Sequence, residues 1–96
     1  MDTKEARSIL AKHLARYRSR SYAALADLIR EGRVETAEEV LPSGSRYQIE
    51  IQFFWDDKPD GSARVLGCID DGRGMRAFFP LTDSFILSSA GTFVGE

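Results

Sequence analysis

Apolar residues in the first third of the chain recur at steps of three and four, which predicts helix. The first stripe consists of Ala6, Ile9, Leu10, Leu14 and Tyr17, and the second of Tyr22, Leu25, Leu28 and Ile29. Asp2 and Glu5 have the spacing of a capping box, so we expect the first helix to begin there. At about 100° per residue, Tyr17 and Tyr22 cannot share one straight stripe. We predict a break or bend at residues 19–21 and a helix end at Gly32, giving two short helices or one kinked helix.

From Val34 onward the period changes to two, which is typical of strands. The clearest strand alternates Tyr47, Ile49, Ile51, Phe53 and Trp55 with Gln48, Glu50 and Gln52. Further strands are predicted over residues 63–70 and 75–81, joined by a tight turn at 71–74. A short apolar segment at 84–87 and a turn at 90–91 follow. For residues 34–41 the sequence does not decide between strand and helix. Val34, Thr36 and Val40 alternate with Glu35, Ala37 and Glu39, as in a strand, but residues 36–41 also have helical propensity.

These elements predict an α+β fold with a single domain over residues 1–96. Residues 1–32 form the helical segment, and residues 33–96 form the sheet and a C-terminal tail. We expect the helix pair, or the single kinked helix, to pack on one face of a four- to five-stranded antiparallel meander sheet.

The strand register follows from keeping apolar residues on one face. Phe53 is expected opposite Val65, Ile51 opposite Gly67, and Ile49 opposite Ile69. The next strand then places Ala77 opposite Ile69, Phe79 opposite Gly67, and Leu81 opposite Val65. On this prediction Gly67 leaves room for the ring of Phe79.

The same register puts a half-apolar set of side chains on the second face of the sheet. Its predicted rows are Gln48, Asp70, Arg76; Glu50, Cys68, Phe78; Gln52, Leu66, Pro80; and Phe54, Arg64, Thr82. A face of this composition is typical of a covered surface, and its cover is the C-terminal tail through Ile86 and Phe93, a second copy of the chain, or a ligand. The predicted interaction surface consists of Phe54, Arg64, Leu66, Cys68 and Phe78.

Candidate chemistry is sparse. His13, the one histidine, lies on the apolar side of the first helix, and Cys68 has an acidic rather than a basic neighbour in the predicted register. Glu39, Glu50 and Asp70 form an alternative acidic site for a metal or for acid/base chemistry if they line up across the outer face. An ion pair between Arg76 and Asp70 is the simpler interpretation. We therefore expect no catalytic residue, no metal and no cofactor.

Charge is unevenly distributed. Residues 1–33 carry eight Lys/Arg against four Asp/Glu, a net charge of +4, whereas residues 34–96 have a net charge of -6. An alternative nucleic-acid surface consists of Arg16, Arg18 and Arg20, but Tyr17 and Tyr22 fall on apolar stripes rather than among exposed basic residues, so nucleic-acid binding is not expected. The chain has no apolar run of the roughly 20 residues that span a bilayer and has a single cysteine, which predicts a cytoplasmic protein without membrane contact.

Three segments carry a family resemblance: residues 47–57 (YQIEIQFFWDD), residues 69–72 (IDDG) and residues 76–83 (RAFFPLTD). Over residues 46–85 the chain resembles a family of small uncharacterised bacterial proteins, a domain of unknown function. The resemblance implies no activity, ligand or catalytic residue.

The sequence therefore favours a non-catalytic interaction module that self-associates as a homodimer or binds an unknown protein through the outer sheet face. One alternative is a small metal-dependent or acid/base enzyme that uses the sheet carboxylates. The other is a nucleic-acid-binding or regulatory protein that uses the basic helical segment.

Overall fold

The computed structural model describes residues 1–72 and 80–96, and the statements below refer to those residues. Two helices, α1 (Thr3–Arg18) and α2 (Tyr22–Arg30), precede four strands, β1 (Val34–Val40), β2 (Arg46–Trp55), β3 (Ala63–Asp70) and β4 (Leu81–Leu87). The strands form one antiparallel sheet in the order β1-β2-β3-β4. The predicted α+β fold, with a helix pair on an antiparallel meander, is confirmed.

The helix boundaries follow from side-chain caps. Asp2 accepts a hydrogen bond from the amide of Glu5 (3.1 Å), and Ser21 accepts one from the amide of Ala24 (3.1 Å). The second cap starts a separate helix, which confirms the predicted break. Gly32 follows α2 with φ +66°, a conformation that favours glycine.

The β2–β3 register is confirmed residue by residue. Phe53 lies opposite Val65, Ile51 opposite Gly67 and Ile49 opposite Ile69. Residues 34–40 form a strand, which resolves the choice that the sequence left open. The turn between β1 and β2 places Val40 opposite Arg46.

The predicted partner of β3 is wrong. β3 pairs with residues 81–87, so that Leu81 rather than Ala77 lies opposite Ile69, and Phe85 rather than Leu81 lies opposite Val65. Most of the predicted strand at 75–81 lies outside the described residues, and the segment at 84–87 is the end of β4. The predicted tight turn at residues 71–74 lies partly outside the described residues.

The core lies between the helices and one face of the sheet. Its buried side chains include Leu10, Leu14, Leu25, Ile51, Val65, Ile69 and Phe85. Gly67 has a packing role that differs from the predicted one: a Cβ built there would lie 2.7 Å from Leu10 Cδ1 and 3.2 Å from Leu14 Cδ2. The missing side chain makes room for helix α1, and the β4 residue opposite Gly67 is Asp83 rather than the predicted Phe79. Neither described helix has the length and apolar character needed to cross a membrane.

The C-terminal tail runs back along the free edge of β4. The amide of Val94 donates to the carbonyl oxygen of Ile86 (2.9 Å), and Phe93 forms a bridge with Leu87. The Phe93 ring packs edge-to-face on Phe85, with centroids 5.8 Å apart. Arg18 stacks on Phe93 at 4.3 Å and forms an ion pair with Glu96. The Phe93 side chain packs against the helix-side core and so does not cover the second face of the sheet.

Candidate interaction surface

Side chains on the second sheet face, here called the outer face, point away from both helices. Alternation along β2 and β3 places Phe54, Arg64, Leu66 and Cys68 there, because their neighbours in sequence are buried beneath the helices. These are four of the five residues of the predicted interaction surface. The fifth, Phe78, lies outside the described residues, and Thr82 is the β4 residue opposite Cys68.

The outer face is partly apolar and open in the described part of the chain. Phe54 is 37% exposed, and Leu66 and Cys68 are half-buried. Ile86, opposite Arg64, extends this patch, although the sequence did not place it there because the β3–β4 register was misassigned. Phe85 and Leu87 on either side of Ile86 are buried, and this alternation is the feature that places Ile86 on the outer face.

Charged groups divide the outer face along the strands. Arg64 donates to Asp56 (2.8 and 2.6 Å) and to Ser84 (3.2 Å) near the Phe54 end. Towards the other end lie Glu50 and Asp70, which have no ion pair among the described residues. A concavity of about 360 Å³ lies at this acidic end and is lined by Thr36, Gln48, Ile49, Glu50, Gln52, Cys68, Asp70 and Pro80.

The thiol of Cys68 is unsuited to nucleophilic chemistry. Burial raises its pKa, and the negative charges of Glu50 and Asp70 raise it further. The thiolate is therefore disfavoured. Cys68 contributes to the outer face as a small, weakly polar side chain.

The three carboxylates of the alternative acidic site do not come together. Glu39 lies opposite the buried Tyr47, so it faces the helices, whereas Glu50 and Asp70 lie on the outer face. Glu39 is hydrogen-bonded to His13 Nε2 (2.7 Å), and this contact holds the pKa of Glu39 below its ordinary value. A common site with Glu39 on the outer face would require the valines of β1 to face the helices, whereas they face away from them. Among the described residues, no cluster of three His, Cys, Asp or Glu side chains could hold a metal ion.

The arginines of the alternative nucleic-acid surface are only partly available. Arg18 is engaged with the tail through Glu96 and Phe93. Arg20 stacks on the ring of Tyr17 at 5.5 Å. Tyr17 in turn packs edge-to-face on Phe53, so its ring belongs to the core and offers no stacking platform for a base.

A second cleft, of about 800 Å³, lies where α1 begins, and its lining includes Asp2, Glu5, Tyr47 and Asp71. The hydroxyl of Tyr47 donates to Glu5 (2.6 Å), and this bond, together with burial, raises the pKa of Tyr47 to about 12. The phenol therefore stays protonated at neutral pH and acts as a structural hydrogen-bond donor between β2 and α1.

Comparison of the chain with models of known families, with curated proteins and with solved structures finds no match. The function must therefore be argued from the geometry of the outer face, and the family resemblance of residues 46–85 stays a prediction.

Proposed function

We propose that this chain is a non-catalytic interaction module that self-associates, with a second copy of the chain covering the outer face. The observation that supports this most directly is the apolar patch around Phe54, Leu66 and Cys68, on which neither helix nor the described tail packs. Contiguous apolar side chains on one face of a small domain commonly mark a protein contact.

The distribution of charge favours a second copy as the occupant. Arg64 and Asp70 lie six residues apart on β3, which is about 20 Å at the rise of a strand. A two-fold axis that runs between the two outer faces, parallel to the sheet, perpendicular to β3 and level with Gly67, places Arg64 of each copy over Asp70 of the other. The same axis places Leu66 over Cys68. Arg64, which also pairs with Asp56 of its own chain, then meets Asp70 of the other copy at both ends of an apolar centre, so the surface is self-complementary, as an isologous contact requires.

Sedimentation velocity tests the proposal. We expect the wild-type chain at high micromolar concentration to form an oligomer whose mass is lowered by Leu66→Glu, to that of a monomer where the outer face is the one contact. An unpaired carboxylate buried in the contact costs about 3 kcal/mol, equivalent to a roughly 100-fold increase in Kd. Ala11→Glu adds the same charge at an exposed position of α1 and should leave the mass unchanged.

Charge reversal tests the orientation of the two copies. Arg64→Asp and Asp70→Arg should each weaken self-association, because each places like charges over one another, and the double variant should restore it. A wild-type chain that stays monomeric at high micromolar concentration, or a Leu66→Glu variant with undiminished mass and native circular dichroism, would refute the proposal.

A further inference from the structure

The two edges of the sheet differ. The outer edge of β4 is bonded by the tail at its C-terminal end, through the Val94 to Ile86 hydrogen bond and the Phe93 to Leu87 bridge. The outer edge of β1 is bonded to nothing in the described part of the chain. An uncovered strand edge is a template for pairing with another strand.

The hydrogen-bond pattern identifies which groups of β1 point outward. The amide of Leu41 donates to the carbonyl oxygen of Ser45 (2.9 Å), so this pair is a hydrogen-bonded one. Hydrogen-bonded and non-hydrogen-bonded pairs alternate along an antiparallel ladder. The N–H and C=O groups directed away from β2 therefore belong to four exposed residues: Val34, Thr36, Glu38 and Val40.

We infer that two copies of this chain pair antiparallel through the outer edge of β1, around a two-fold axis at Ala37, to form one continuous eight-stranded sheet. In this register Val34 lies opposite Val40 of the second copy, and Thr36 lies opposite Glu38. Every outward N–H and C=O of β1 is then paired. Val34 and Val40, which are 52% and 53% exposed, cover each other at both ends of the contact. A register shift of two residues in either direction leaves both valines of each copy without a valine opposite.

The charges of β1 permit this contact, because each of its three carboxylates has a cation in its own chain. The pairs are Arg33 with Glu35 (3.2 Å), Arg46 with Glu38 (3.0 Å) and Lys12 with Glu39 (3.3 Å). The one unfavourable juxtaposition places Glu35 opposite Glu39 of the second copy. Lys12, whose side chain is 63% exposed, lies beside Glu39 and is placed to pair with the incoming Glu35 as well.

This edge contact goes beyond the proposed outer-face contact and uses different residues. Its two-fold axis is perpendicular to the sheet, whereas the axis of the outer-face contact runs parallel to the sheet, between the two copies. Either contact can therefore form without the other, and a test of one does not depend on the other.

A disulfide at the proposed axis tests the register directly. In a Cys68→Ser background, Ala37→Cys places two thiols across a non-hydrogen-bonded pair with Cα atoms about 4.5 Å apart, within the range that a disulfide spans. Glu38→Cys in the same background is the matched control, because two copies of residue 38 lie diagonally, beyond about 7 Å. We expect mild oxidation at high micromolar concentration to give a covalent dimer of the first variant at least ten-fold faster than of the second. A mixture of Thr36→Cys and Glu38→Cys chains should give the heterodimer.

The outcomes separate the two proposals. An Ala37→Cys chain that does not cross-link, or cross-links no faster than Glu38→Cys, overturns the edge contact whatever Leu66→Glu does to the mass. Rapid cross-linking that persists in Leu66→Glu supports the edge contact and shows that it does not rest on the outer face. If Ala37→Cys cross-links rapidly and Leu66→Glu leaves the mass unchanged, the edge contact is upheld and only the outer-face contact is refuted.

Discussion

Gly67→Ala is the substitution with the most direct consequence for the fold. The added methyl carbon would lie 2.7 Å from Leu10 Cδ1, 3.2 Å from Leu14 Cδ2 and 3.3 Å from Ile51 Cδ1. Leu10 is 1% exposed and enclosed by the core, so its side chain cannot swing into solvent. Overpacking of this kind costs about 1–3 kcal/mol, and the smaller conformational freedom of alanine in the unfolded chain returns about 0.4–1 kcal/mol. We expect a net loss of about 1–2 kcal/mol, equivalent to a decrease in Tm of roughly 4–8 °C for each kcal/mol in a domain of this size.

Urea denaturation of a double-mutant cycle tests this argument. Leu10→Ala alone should cost about 2–5 kcal/mol, because it leaves a cavity at a fully buried position. Gly67→Ala added to Leu10→Ala should be neutral or stabilising, since the new methyl group then enters the vacated space. Equal destabilisation by Gly67→Ala in both backgrounds would show that the clash with Leu10 is not the cause. If Gly67→Ala stabilises the chain that is otherwise wild type, the packing argument is refuted.

Three further predictions concern the tail and two polar contacts. Phe93→Ala should cost about 2 kcal/mol in urea denaturation, because a half-buried ring leaves the core cluster; a loss below about 0.5 kcal/mol would contradict this. Tyr47→Phe should cost about 1–2 kcal/mol through the lost bond to Glu5, and ultraviolet titration should lose the tyrosine that ionises at a pKa of about 12. Because this pKa is raised in the folded state, the wild-type advantage should decline above about pH 10, and a constant advantage would count against the bond. The contact with His13 lowers the pKa of Glu39 in the folded state, so the stability that it provides is present above the unfolded pKa and is lost as the pH falls through the folded pKa. Glu39→Gln should therefore flatten the decrease of the unfolding free energy at acid pH. An unchanged decrease would argue against the contact.

The sequence was sufficient where two independent local signals agreed. Asp2 and Ser21 coincide with the start of an apolar stripe, and both cap helices. Strand β2 alternates apolar and polar residues from Tyr47 to Phe53, and a single register with β3 keeps Ile49, Ile51 and Phe53 on a face that is wholly apolar or glycine; that register is observed. The agreement of pattern with pairing explains why four of the five predicted surface residues lie together on the outer face.

The sequence was insufficient where two segments both had apolar residues at strand spacing. Phe79 and Phe85 are both apolar residues at strand spacing after β3, and only the length of the connection decides which of the two segments pairs with it. β1 poses the same difficulty in another form, because its valines and its alanine fall on opposite faces. The β1–β2 turn sets Ala37 opposite the buried Ile49, which turns Val34 and Val40 outward and Glu39 towards His13. The register of β1 on β2 therefore places Glu39 on the opposite face from the other two carboxylates, so the three form no common site.

The two proposed contacts follow from the same property of a two-layer fold. Helices α1 and α2 cover one face of the sheet, and the tail bonds to the end of the β4 edge, which leaves Phe54 on the outer face and Val34 and Val40 on β1 exposed in the described part of the chain. Each surface is self-complementary around its own two-fold axis, one lying at Ala37 and the other at Gly67. Ala37 lies in the same cross-strand row as Ile49 and Ile69, whereas Gly67 lies in the row of Glu35 and Ile51, so the two perpendicular axes are offset by two residues along the strands, about 7 Å. Axes that do not intersect generate an open, repeating assembly and not a closed tetramer. If both contacts form, the mass should therefore rise with concentration and not level off at one value, because the terminal copies of an open assembly leave an outer face or a β1 edge uncovered to recruit further chains. Leu66→Glu should then limit the assembly to edge-paired dimers, and the loss of β1 pairing should limit it to face-packed dimers.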